Sequence, residues 1–301
     1  MMLVATLICT GAVAPPQLLR LRGGDDTRSL LVVGSLNVDV TLEVDRLPHK
    51  DETITARSPC STTSVGGKGA NQAVAAARLG AGALPVKLIC QFGNDGHAQM
   101  LEATIAAEGV DLSESGHDAH MPSGQGIVML EADGAVSSVV VGGSNTAWST
   151  DDVARIADLA RGAAAVMLQR EIPEVVNEAV VQAACAAGVR VLQDIGGEDR
   201  PISDQLLAQV DFVCPNESEL ARLTGLPVSS AAEAVSAARA LQARGAQHVL
   251  VTLGHDGALL LCPDGSVLRQ PPLPVPGGKV VDSTGAGGLP VPPAPMRSLK
   301  I

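Results

Sequence analysis

Tyrosine is absent from this chain, and its aromatic side chains are limited to Phe92, Phe212 and Trp148. So few flat side chains offer no platform on which successive bases could stack, which argues against a nucleic-acid partner. Positive charge is also scarce: 21 Lys and Arg stand against 32 Asp and Glu, a net charge of −11. In bulk that repels nucleic acid and anionic membrane, although a local basic site for a nucleotide remains compatible with it. The six cysteines (Cys9, Cys60, Cys90, Cys185, Cys214 and Cys262) include no Cys-x-x-Cys pair. Neither a disulfide framework nor a structural zinc site is expected, and small core thiols suit a reducing compartment, cytoplasm or plastid. The apolar run from Leu3 to Ala14 is too short to span a bilayer, and no other stretch reads as transmembrane.

What is present is a large aliphatic reserve. Of 301 residues, 46% are hydrophobic, many of them alanine. One large domain or two modest ones can be built from this length. The first 28 residues stand apart: an apolar run ends in small residues, no acid precedes Asp25, and Arg20 and Arg22 follow. This resembles a cleavable signal or the first part of a plastid leader; the other reading is a start codon placed upstream of the domain.

From Leu30 strand-like and helix-like segments alternate. Leu30–Gly34, Leu88–Phe92, Ala164–Gln169, Val189–Asp194, Asp211–Cys214 and His248–Leu253 read as short buried strands. Ala70–Leu79, closed by Gly80, His97–Glu108, a segment opened by Pro173 and closed by Gly188, and Ala231–Arg244 read as helices. The alternation predicts an α/β fold with a mostly parallel sheet between helix layers. Two patches break it. Glu52–Ser64 is rich in Thr and Ser, and Gln125–Val141 alternates around a turn at Asp133-Gly134, so the two are expected to form a small separate β sheet.

Several motifs carry chemistry. Asn37 and Asp39 follow the first strand, where an amide and a carboxylate point into a ligand crevice and can bind two hydroxyls of a polyol. Alone, Asn-Val-Asp is an ordinary loop. Gly66-Gly67-Lys68-Gly69-Ala70-Asn71 opens a helix and is no Walker A loop, because Gly69 follows Lys68. Its glycines admit a ligand to the backbone, and helix-start N–H groups with Lys68 make a positive mouth. Asn216 and Glu219 read as a helix capping box, in which Asn216 caps and Glu219 answers it. Gly285-Ala286-Gly287 exposes backbone N–H groups suited to a transferring phosphoryl group.

Taken together, Gly66–Ala81, Asn216-x-x-Glu219, Thr252–Gly257 and Asp282–Gly287 resemble the PfkB carbohydrate kinase family, in its ribokinase branch. The resemblance runs from Leu30 to Gly287. It implies a three-layer ribokinase-like α/β fold with a β lid drawn from about residues 37–64 and 123–145, within a domain spanning 29–288. It also implies ATP-dependent phosphorylation of D-ribose at the 5-hydroxyl. Asn37, Asp39, Gly67, Lys68, Asn71 and Glu171 would hold the sugar. Asn216, Thr252, Gly254 and Gly257 would serve the nucleotide, Glu219 the Mg²⁺, and Asp282 and Thr284 a K⁺ ion. Gly285, Ala286 and Gly287 would form the anion hole, and a homodimer through the lid is a further expectation. One position departs: where the family has its aspartate base, this chain has Gly288. The proline-rich 289–301 segment does not follow the family and reads as an altered frame or retained intron. A lost general base costs about 10²–10⁴ in rate. The alternatives are therefore another PfkB kinase acting on a sugar or nucleoside, and a non-catalytic sugar-binding relative. An adenosine-specific kinase needs an aromatic shelf that Phe92, Phe212 and Trp148 scarcely supply.

Overall fold

The computed structural model describes residues 28–80, 84–197 and 199–272. Within them the strands run β1 (Leu30–Val33), β2 (Asn37–Val44), β3 (Thr62–Gly66), β4 (Val86–Ile89), β5 (Gln91–Phe92), β6 (Gly116–His117), β7 (Gly124–Glu131), β8 (Val136–Val141), β9 (Ala165–Arg170), β10 (Arg190–Gly197), β11 (Phe212–Cys214), β12 (His248–Thr252), β13 (Ala258–Leu261) and β14 (Val267–Gln270). The helices are α1 (Lys68–Gly80), α2 (Ala98–Ala107), α3 (Thr150–Arg161), α4 (Glu174–Ala186), α5 (Asp204–Gln209), α6 (Glu217–Thr224) and α7 (Ala231–Ala243). No helix among the described residues is long and apolar enough to cross a membrane.

The main sheet has eight strands in the order β14-β13-β12-β11-β10-β9-β1-β4. From β4 to β12 every pairing is parallel; β13 and β14 add an antiparallel edge. Strand periodicity divides its side chains between two cores. Leu31, Val33, Val166, Leu168, Val191, Val213 and Val249 face one way, onto Ile156, Val180, Leu206, Leu220 and Ala237 of the helices. Val32, Leu88 and Met167 face the other way, onto Ala70, Ala73, Leu101 and Ile105. Alanine dominates α1 because the helix lies close against the sheet, and a small side chain permits that approach.

The second sheet is four-stranded, in the order β3-β2-β7-β8. Its β7–β8 hairpin turns through Asp133-Gly134, with Gly134 at φ 91°, the backbone that Asp-Gly favours. β2 pairs parallel with β7, Asn37 opposite Gly124 and Asp39 opposite Gly126.

Several expectations need correction. Asn37 and Asp39 belong to strand β2 of the small sheet, rather than to a loop after β1. Only Thr62–Ser64 of the Thr/Ser-rich patch is extended, as the start of β3; residues 53–56 have no regular structure. The segment Leu88–Phe92 is two strands that separate at Cys90, because Gln91 and Phe92 leave the main sheet to pair with Gly116 and His117. Pro173 caps α4 from outside rather than filling its first turn. The helix α3 was unforeseen, although Ser149 and Asp152 form a full capping box. The β13–β14 hairpin was unforeseen too, and it turns at Asp264-Gly265, the same dipeptide chemistry as β7–β8.

Candidate active site

The chain leaves β1 for the edge strand β4 and later returns to β9 on the other side of β1. In an open α/β sheet that reversal of direction opens a crevice beyond the strands' C-terminal ends. A cavity of about 380 Å³ lies there, roofed by the small sheet. It is lined by Asn37, Asp39, Gly67, Lys68, Asn71 and Glu171 at one end and by Asn216, Glu219 and Thr252 at the other. Of the remaining expected residues, Gly254 and Gly257 form the 3-10 turn between β12 and β13 and do not line the cavity. Asp282, Thr284, Gly285, Ala286, Gly287 and Gly288 lie outside the described residues, as do residues 1–27 of the expected leader and the 289–301 segment.

Glu171 ties three elements together. One oxygen, Oε2, accepts from the Ser35 hydroxyl at 2.6 Å and from the Lys68 backbone N–H at 2.9 Å. Ser35 in turn accepts from the Gly69 N–H at 3.2 Å. The ends of β1 and β9 and the first turn of α1 are thereby locked around one carboxylate, whose Oε1 has no such bond among the described residues. Gly67 has φ 92°, and a side chain there would stand 3.0 Å from the Asn37 N atom and the Ser35 carbonyl oxygen. The chain therefore requires glycine at the point where β1, β2 and α1 converge.

Asp39 occupies a slot between two glycines. A Cβ on Gly66 or on Gly126 would collide with its carboxylate. Burial, reinforced by the neighbouring charge of Glu171, raises Asp39 from its ordinary 3.8 to about 6. Lys68 lies 3.6 Å from Asp194. Burial pulls its ammonium down, but Asp194, Glu219 and Glu171 together outweigh that and hold it above its ordinary value, so Lys68 stays charged. Burial pushes the Asp194 and Glu219 carboxyls up, against the pull of Lys68 on both. Gly196 leaves room for the ammonium, since a Cβ there would meet Lys68 Nζ.

At the opposite end, Asn216 Oδ1 accepts from the Glu219 N–H at 2.8 Å, and Glu219 Oε2 accepts from the Asn216 N–H at 2.9 Å. The capping-box reading of this pair is therefore realised, and Oε1 of Glu219 is left outside the box. Asn216 bridges to Thr252 in parallel fashion, which brings the ends of β11 and β12 together. Cys214 also lines the cavity, but burial lifts its thiol to about 12, which keeps it neutral and unreactive.

Sequence motifs gave no role to three residues: Asp194, which lines the cavity, and Ser35 and Asn145, which stand behind its wall. Asp194 ends a strand-like run, and the logic that singled out Asp39 applies to it equally. Ser35 gave no signal, since its role depends on Glu171, 136 positions away. Asn145, on a 3-10 turn at Gly143–Thr146, touches Asn37 only through the tertiary fold.

Comparison with known proteins agrees with this architecture. The model of the pfkB family carbohydrate kinases matches residues 27–287. The ribokinase of Arabidopsis thaliana is 39% identical over 265 residues, 86% of this chain and 67% of that protein. A deoxyribokinase of Salmonella typhi is 30% identical over 258 residues, 86% of this chain and 81% of that protein. The solved structure of Arabidopsis thaliana ribokinase complexed with ribose and ATP superposes with a TM-score of 0.76 at 38% identity, covering 87% of this chain and 82% of that one. With the family match spanning all of the described residues, this chain belongs to the pfkB family of carbohydrate kinases.

Proposed function

We propose that the chain binds D-ribose beneath the small sheet and directs its 5-hydroxyl at the γ-phosphorus of ATP, giving ribose 5-phosphate and ADP. The observation that carries this reading is the cavity of about 380 Å³ whose wall brings together Asn37, Asp39, Lys68, Asn71 and Glu171. That set offers amide, ammonium and carboxylate groups at the density a polyol needs. No aromatic side chain is among the lining residues, which favours a sugar over a nucleoside. The likeness to a ribokinase complexed with ribose and ATP supports the same pair of ligands.

In this reading Asp39 and Glu171 accept from sugar hydroxyls while Asn37, Asn71 and Lys68 donate, with Gly67 letting the sugar approach the backbone. Asn216 and Thr252 border the nucleotide end, and the turn bearing Gly254 and Gly257 flanks it. The residues present fit a Mg²⁺ ion that takes most of its ligands from phosphate and water, because Glu219 lines the cavity and commits only Oε2 to the capping box. Such an ion neutralises charge on the transferring phosphoryl group when bound. We place K⁺ at Asp282 and Thr284 and an anion hole at Gly285, Ala286 and Gly287, and with Gly288 where the family has its base we propose turnover slowed by about 10²–10⁴.

The chain's own contribution is positional. Lys68 stays charged and is steered by Asp194, and Glu171 is pinned by Ser35, so a sugar meets fixed partners rather than mobile ones. We further propose a homodimer through β8, an edge strand on which Val139 and Val141, outside the cavity lining, are 57% and 49% exposed. Sedimentation of Val139→Lys should then show a shift to monomer.

Calorimetry with D-ribose, 2-deoxyribose and adenosine, followed by an ADP-release assay, tests the function. Tight ribose binding with ADP release supports it. Ribose binding without turnover selects the non-catalytic sugar-binding reading, and turnover on adenosine but not ribose would refute the pentose assignment.

A further inference from the structure

The amide of Asn37 can meet a ligand with its carbonyl or with its NH₂, and the two select opposite partners. A chain of hydrogen bonds removes the choice. The backbone N–H of Leu36 donates to Asn145 Oδ1 at 2.9 Å, and a backbone N–H can only donate. The other end of the Asn145 amide is therefore Nδ2, which donates to the Leu36 carbonyl at 3.2 Å and to Asn37 Oδ1 at 2.7 Å. With its oxygen engaged, Asn37 turns Nδ2 toward the cavity it lines. Both asparagines are buried, at 2% and 1% exposure, so no water competes freely for these bonds.

The turn that carries Asn145 is itself anchored on both sides. Trp148 Nε1–H donates to the Asn145 carbonyl at 2.7 Å, and the Ser144 hydroxyl donates to the Gln91 carbonyl at 2.7 Å. The Ser144 N–H donates to the Pro122 carbonyl at 2.8 Å. Gly124, opposite Asn37 in the β2–β7 register, keeps the space clear: a Cβ there would collide with both Asn145 Nδ2 and Asn37 Oδ1.

We infer that Asn145 is a positioning residue that sets the hydrogen-bond polarity of the sugar site. It holds Asn37 as a donor only, facing the same cavity as the acceptor Asp39, so that the site selects a ligand whose hydroxyls accept at the first and donate at the second. The inference rests on the pentose reading given above. It adds that specificity is written one layer behind the residues that touch the sugar.

The test is calorimetry on the full chain, with D-ribose and ATP titrated separately. Asn37→Asp keeps the shape and still accepts from Asn145, but presents oxygen to the cavity where the parent presents NH₂. Asn145→Asp still accepts from Leu36 yet no longer donates to Asn37. Each is expected to weaken ribose by about tenfold or more, the cost of one mismatched buried hydrogen bond, with ATP affinity unchanged. An overall structural defect would weaken both ligands. A second measurement needs no variant: in the parent chain, saturating ribose should shift the side-chain amide protons of Asn37 in ¹⁵N-edited NMR spectra. Ribose binding by Asn37→Asp at the parent's affinity, or Asn37 amide protons unmoved by saturating ribose, would overturn the inference. Absence of any ribose heat from the parent chain would instead remove the pentose reading, and the inference with it.

Discussion

Replacing Asp39 with asparagine should make the protein more stable and less able to hold its sugar, and the gain should depend on pH in a defined way. Moving a carboxyl from 3.8 to about 6 corresponds to about 3 kcal/mol between its charged and neutral forms. The folded chain holds this proton more tightly than the unfolded chain. Below about pH 4 the group is neutral in both states and costs nothing. Between about 4 and 6 the unfolded chain ionises first, so stability falls as pH rises; above about 6 the full penalty remains. Water still reaches part of the carboxylate, so about 3 kcal/mol is an upper figure. The amide introduced by Asp39→Asn carries no charge at any of these pH values. The expected gain at pH 8 is therefore up to about 3 kcal/mol, or about 6–10 °C in Tm for a domain of this size, shrinking to nothing near pH 4. The assay is thermal and urea denaturation of parent and variant at pH 4, 6 and 8, read as the difference between them. A gain that ignores pH, or a loss at pH 8, would refute the reasoning. Ribose affinity should fall by about tenfold in the variant, and in the parent it should decline as pH drops through about 6.

Further outcomes follow from neighbouring contacts. Gly126→Ala drives a methyl into the Asp39 carboxylate; ribose affinity by calorimetry should drop by about tenfold, and an unchanged value would show that the slot does not position Asp39. Arg170 is 1% exposed and donates to the Arg200 and Pro201 carbonyls at 2.6 and 3.1 Å, 3.4 Å from Glu174. Arg170→Met should cost about 3–5 kcal/mol in urea denaturation, because Glu174 and two carbonyls lose their partner. Ser149→Ala should lower stability by about 1 kcal/mol by removing the α3 capping box.

The contrast between β9 and β2 shows how far the sequence could be read. Ala164–Gln169 is a short apolar run between turn signals, and burial on both faces makes such a run a parallel strand almost wherever it occurs. β2 reads Asn-Val-Asp-Val-Thr-Leu-Glu-Val, a clear alternation, yet its first three residues looked like loop because polar groups follow a strand end so often. The split at Cys90 was invisible for a different reason. Gln91 and Phe92 are as buried and extended as a continued strand, and only the position of Gly116 and His117 draws them out of the main sheet. In the site, the motifs that carry the family resemblance pointed to Gly67, Lys68, Asn71, Asn216 and Glu219, and the cavity is lined by all of them. Ser35 and Asn145 act through partners more than a hundred positions away, and no local pattern encodes such a distance.

The sequence by itself determined the alternation of buried strands and amphipathic helices, the glycine turn that opens α1, and the chemical types gathered along the ends of the strands. Those follow from local forces: side-chain periodicity, glycine's backbone freedom and the capping of helix ends. Tertiary structure alone decided which amide atom of Asn37 faces the cavity, that Asp39 is raised to about 6, and that Lys68 remains charged among three carboxylates. Those properties depend on burial and on charges brought within a few ångströms, and both exist only once distant segments close around the same space.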